Sequence, residues 1–237
     1  MDRQHRHDLR HDRFVDEVGA LSSRARANQR LLLTVAGALI LVAFVVYGIF
    51  FYRSNQERKG QELLASAITT IESPLIPATG TAPPEAKFKT DAERNAAAEK
   101  MFKEVQAQYG STDAADIAGL YVGRLAASRG DTATARQKLN DFIEDHPQHM
   151  LVGAARYSLY QLRIENGEAT QVATELNAEL QKAEPALPGD SLLSLLAHAW
   201  EAQGDQAKAR DAYRRIITEF PDSPYVLEAQ RRAGTGS

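Results

Sequence analysis

The 237-residue chain has no cysteine. That excludes disulfides, thiol nucleophiles, CxxC redox chemistry, cysteine-based zinc sites and a lipoprotein anchor, and it leaves either redox compartment open. Proline and glycine are sparse, at 9 and 15 residues, and β-branched residues concentrate in one short stretch, so most of this Ala-rich sequence reads as helix. A strong charge of either sign is also missing. The formal net charge is −3, and residues 1–30 carry seven Arg against five acids, so the rest of the chain is mildly acidic. Such a body is a poor partner for a phosphate backbone, and no nucleic acid is expected. GxSxG, HExxH, the Walker loop and GxGxxG are all absent, which points away from an enzyme and from bound cofactors. With 43% hydrophobic and 25% charged residues the composition is that of a globular chain.

One stretch lacks charge altogether. Residues 31–52, LLLTVAGALILVAFVVYGIFFY, are 22 uncharged positions. As a helix they reach roughly 33 Å, about the hydrocarbon thickness of a bilayer. Arg24, Arg26 and Arg30 precede them, and Tyr47, Phe50, Phe51, Tyr52 and Arg53 crowd the other end, as at a membrane interface. A cleaved signal has a shorter apolar region with small residues just beyond it, and Ala65-Ser66-Ala67 lies too far downstream. An uncleaved transmembrane helix is expected. Within twenty residues of the span, Arg13, Arg24, Arg26 and Arg30 face Arg53, Arg58 and Lys59. The more distant Arg3, Arg6 and Arg10 tip the N-terminus toward the cytoplasm. Thr34 and Ala38 form one small-xxx-small pair, which permits a homodimer.

Four segments follow from this reading. Residues 1–30 are a polar arm, in which Phe14, Val18 and Leu21 share a helix face. Residues 31–52 are the span. Residues 53–90 combine a helical extension, striped by Leu63, Leu64, Ala67, Ile68 and Ile71, with a Pro-containing linker from Ser73 to Thr90 that spaces the next unit from the bilayer. Residues 91–237 are repetitive. Ser128-Arg-Gly130-Asp, Glu165-Asn-Gly167-Glu and Ala202-Gln-Gly204-Asp place their glycines 37 residues apart, twice. Asp145-His146-Pro147 and Glu219-Phe220-Pro221 close two of the helices that follow. Fixed spacing of this kind means stacked helical hairpins, with glycine as the left-handed stop of the first helix and proline ending the second. The middle unit is degenerate, with Pro185 one place out of register and Pro188-Gly189 following. Ala98, Phe102 and Val105 resemble a second helix of a preceding half-unit, and a capping helix over 225–232 follows Asp222-Ser223-Pro224.

The last unit runs Leu193-x2-Leu196-Ala197-x2-Trp200-x3-Gly204-Asp205-x3-Ala209-x3-Tyr213-x2-Ile216-x4-Pro221, and this spacing resembles a tetratricopeptide repeat. The fold class is therefore all-α: one N-terminal transmembrane helix, then a tetratricopeptide-like α-solenoid. The order of parts, together with Phe220-Pro-Asp-Ser-Pro-Tyr225, resembles the ancillary Sec translocon subunits of the YfgM type. A cell-division coordinator shares their domain. The resemblance implies a single-pass bacterial inner-membrane protein with a periplasmic C-terminal domain. It would pass secreted clients from the translocon to periplasmic chaperones, or coordinate envelope growth and division.

First helices of such hairpins line a concave face. The expected partner-binding positions are two ladders of residues 37 apart: Arg124, Gln161 and His198, and Leu120, Tyr157 and Ser194, with Tyr121 beside them. Tyr, Arg and polar groups of this mix suit extended segments or partner helices. Trp200 falls at a core position. His146 and His149 flank Pro147 as loop residues, and His5, His7 and His11 lie in the solvated arm; no metal is expected at either group.

Overall fold

The computed structural model describes residues 29–234. The N-terminal arm, with Phe14, Val18, Leu21 and its three histidines, lies outside them. Nine α-helices occur among the described residues: α1 Gln29–Glu72, α2 Asp91–Tyr109, α3 Asp113–Ser128, α4 Thr132–Asp145, α5 Val152–Arg163, α6 Ala169–Glu179, α7 Gly189–Ala202, α8 Gln206–Glu219 and α9 Val226–Ala233. A kink at Asn166 and Gly167 separates α5 from α6. The chain forms two compact units, one ending at Asn55 and the other beginning at Gln56.

The first unit presents apolar side chains all round. Phe44 is 78% exposed, and Ile40, Leu41, Phe50 and Phe51 are similarly bare. By length and composition α1 is the one helix among the described residues able to cross a membrane, and a helix apolar on every face suits that surrounding.

The second unit is built from hairpins, and its punctuation is chemical. Gly130 and Gly204 both have φ near +80°, the left-handed region that a side chain strains. At each, the glycine N–H reaches back three residues, to Ala127 O or Glu201 O. The next N–H reaches back five, to Ala126 O or Trp200 O. This is the Schellman stop. The following aspartate starts the next helix: Asp131 accepts from Thr134 N at 3.2 Å and Asp205 from Lys208 N at 3.1 Å. At Gly167 the aspartate is replaced by Glu168, which accepts from Arg136 and Arg163 and makes no side-chain cap. The backbone still breaks there, with Gly167 at φ +87°, left-handed like the other two glycines, so the degenerate middle unit keeps the left-handed stop and lacks only the aspartate cap of α6.

Four buried clusters follow one another along the chain. Leu64 and Ala67 of α1 pack with Phe102 of α2 and Ala118 of α3. Leu120 of α3 packs with Leu139 of α4 and Ala155 of α5. Leu176 of α6 packs with Leu192 of α7, and Leu193 of α7 with Tyr213 of α8 and Ala229 of α9. Each cluster draws on neighbouring helices, the one-dimensional stacking of a solenoid.

The packed unit is longer than the sequence reading, which starts the repeats at residue 91. The stripe at Leu64 and Ala67 is core, so the end of α1 acts as the first helix of a hairpin whose second helix is α2. The Ser73–Thr90 stretch is the loop of that hairpin and not an extended spacer. Ile76 N donates to Phe88 O at 2.8 Å and Arg94 donates to Ser73 O at 3.1 Å, which closes the loop at its base.

Candidate functional site

The first helices α3 and α5 present a trough between them and their flanks. On α3, Tyr121 stacks on Phe102 with ring centroids 4.7 Å apart. Arg124, one turn on, holds its guanidinium 5.8 Å from the Tyr121 centroid, within cation–π range. Arg124 lines two cavities. One, of about 360 Å³, also takes in Glu72, Arg94, Tyr121 and Ser128. The other, of about 420 Å³, adds Tyr157, Ser158 and Gln161 of α5, Leu187 and Pro188 before α7, and Tyr225 before α9. Tyr157 stacks nearly parallel on Tyr225 at 6.2 Å, and its hydroxyl meets the Ser194 hydroxyl at 3.5 Å. Burial pushes the Tyr157 phenol up to about 12, against an opposing pull from the Ser194 hydrogen bond, so this hydroxyl is a neutral hydrogen-bonding group at any physiological pH.

The structure therefore brings Arg124, Tyr157 and Gln161 together and sets Tyr121 beside them. It does not bring all of the expected positions into the trough. Leu120 is 2% exposed and packs with Leu139 and Phe142. Its neighbour Tyr121 takes the open side, because one residue along a helix turns the side chain by about 100°. Ser194 is 1% exposed and reaches the trough only through the Tyr157 hydroxyl. His198 is engaged elsewhere: its Nε2 lies 3.5 Å from Glu228 Oε1, and its ring meets Tyr213 edge-on at 6.3 Å. Glu228, on α9, is what holds it there. Tyr225, Leu187 and Pro188 escape the ladder because they belong to loops, where helical spacing has no force. The only sequence hint is an aromatic residue directly after the Asp222-Ser223-Pro224 turn.

The remaining candidates resolve into structure. Trp200 is half-buried against the Leu176–Leu192 cluster, with Lys208 Nζ 4.3 Å from its ring. His146 Nε2 lies 3.3 Å from Asp116 Oδ2 and His149 Nε2 lies 3.2 Å from Asp113 Oδ1, while both rings pack on Phe142. They tie the α4–α5 loop to the start of α3. Burial raises the Asp116 carboxyl above its ordinary range, and the facing His146 counters part of that rise. Among the described residues no group of three or more His, Asp or Glu is placed to hold a metal.

Residues 29–230 match the model of the tetratricopeptide repeat-like domain family. Domains of that kind are generally non-catalytic protein-interaction modules. A comparison with curated proteins gave no match.

Proposed function

This chain belongs to the tetratricopeptide repeat-like domain family, and from that premise we propose that it is a membrane-tethered scaffold ancillary to the Sec translocon. Its helix over residues 31–52 anchors it in a bacterial inner membrane with the N-terminus cytoplasmic. Its repeat domain stands in the periplasm, where it takes secreted clients from the channel and passes them to folding factors. The observation that carries this reading is a two-cavity trough lined by Arg124, Tyr157, Gln161 and Tyr225 in a chain that also has one apolar, membrane-length helix. Aromatic, Arg and amide groups in a concavity suit polypeptide contact. Tethering raises the local concentration of the trough at the membrane, so weak contacts suffice.

The test is gentle detergent extraction of native membranes, capture through a C-terminal tag and mass spectrometry. Channel subunits and periplasmic folding factors are the expected company. Recovery of cell-wall or division synthases would replace this reading with envelope coordination, and cytosolic proteins alone would reverse the topology. The absence of cysteine makes orientation easy to measure: exposed Ser111, changed as Ser111→Cys, should react with a membrane-impermeant maleimide from the periplasmic side only.

A further inference from the structure

Resting on the scaffold reading, we infer that the trough takes an internal acidic side chain of an extended partner segment, followed by an aromatic or large apolar residue. Arg124 supplies the charge. It is exposed, and its guanidinium rests over the Tyr121 ring. No carboxylate among the described residues lies within ion-pair distance of it, whereas Arg94 in the same cavity is already paired with Asp91 and donates to the Ser73 carbonyl. An Arg fork beside low-polarity walls is a carboxylate receptor. The adjoining cavity supplies the second requirement. Tyr157 and Tyr225, stacked at 6.2 Å, and Leu187 form an aromatic and apolar wall in which Arg124 is the one charged lining residue.

The position of Arg124 selects an internal carboxylate over a chain end. It lines both cavities, about 360 and 420 Å³, so a terminal carboxylate placed there would leave one of them unfilled. A segment running through fills both. The first cavity is also lined by Glu72, which the second cavity lacks; this disfavours a second acid in the first and gives the segment a direction.

The test uses the full-length protein in lipid nanodiscs and short fluorescein-labelled Gly-Ser peptides, read by fluorescence anisotropy. Amidated peptides carry a central Asp-Phe or Asn-Phe; a third has Phe, no acid and a free C-terminus. The Asp-Phe peptide is expected to bind about tenfold more tightly than Asn-Phe. Arg124→Gln should level the two, and Arg124→Lys should keep part of the difference. Equal binding of Asp-Phe and Asn-Phe, or a preference that survives Arg124→Gln, overturns the inference. So does tighter binding of the peptide with the free C-terminus. If no peptide binds while the membrane capture still yields envelope partners, only this inference falls; if the capture is empty as well, the scaffold reading falls with it.

Discussion

Glu57→Ala should loosen the start of α3 although the two are 56 residues apart in sequence. Glu57 Oε2 accepts from Asp113 N at 2.9 Å and Oε1 from Ala114 N at 3.3 Å, while the Thr112 hydroxyl accepts from Ala115 N at 3.3 Å. A helix start leaves four N–H groups without partners. Here a carboxylate from α1 and a local hydroxyl cover three of them. Losing a capping acceptor costs roughly 0.5–2 kcal/mol, and losing an anion from the positive helix end adds roughly 0.3–1 kcal/mol. Asp113 and Asp116 already stand in that first turn, so the charge part is largely redundant. The expected loss is therefore about 1 kcal/mol, nearly all of it from the two N–H groups, and Glu57→Gln, which keeps an acceptor oxygen, should recover more than half. The assay is hydrogen exchange of the full chain in detergent, with a urea melt followed by circular dichroism. Exchange at Asp113 and Ala114 should quicken about fivefold, and the urea midpoint should fall. Glu62→Ala is the control, since Glu62 is exposed and pairs with Arg58 at 3.4 Å, a contact worth little. Unchanged exchange at Asp113 and Ala114 would refute the capping argument.

Three further outcomes are expected. Gly204→Val should cost about 1–2 kcal/mol, arising from backbone strain alone, because φ is +80° and nothing lies within 4 Å of an added Cβ; for a domain of this size that lowers the melting temperature by roughly 2–4 °C per kcal/mol, and identical melts would show that the turn tolerates a side chain. Gly123→Val should be worse for a different reason: its Cβ would meet Lys138 Cβ at 2.9 Å, so α3 and α4 must part, which a slower-migrating, protease-sensitive variant would reveal. Glu179 is held below its ordinary carboxylate value first by Lys182 and then by the Ala186 N–H; its contribution is present above the ordinary value and is lost as pH falls through the lowered one. The urea midpoints of wild type and Glu179→Gln should therefore converge from about pH 6 to about pH 3, and a constant gap would refute the assignment.

How far the fold was legible depended on whether one residue type had one physical job. Gly130 and Gly204 were readable because a left-handed stop followed by an aspartate cap demands Gly-Asp. Gly167 was readable as a stop, but Glu168 carries one methylene more than aspartate and turns to Arg136 and Arg163, so the loss of the side-chain cap on α6 was not. Proline in Ser73–Thr90 marked a break in helix correctly. Whether such a break is a spacer or a hairpin loop depends on whether the stripes at Leu64 and Ala67 and at Ala98, Phe102 and Val105 face each other, and pairing is not encoded in either stripe alone. The shared helical phase of α3 and α5 accounts for Arg124, Tyr157 and Gln161 lining one cavity.

At α7 the ladder stops, and the reason bears on the ligand. Ala229 of α9 is buried against Leu193 and Ala197, Ser223 donates to Asp190 at 2.7 Å, and Glu228 faces His198. Glu228 of α9 thus engages the His198 rung from within the chain, and the Ser194 rung is buried. The open trough is confined to the faces of α3 and α5 with the turns beside them. Adjacent helices lie about 10 Å apart, so a segment crossing both and reaching the Tyr157–Tyr225 wall spans about 20 Å. At about 3.3 Å per extended residue that is about six residues. Under the function proposed above, a trough of this size suits short segments met repeatedly along a client chain, each held weakly at one arginine and one aromatic wall. It does not fit a large folded partner, whose stable interface would need some 800 Å² from each side.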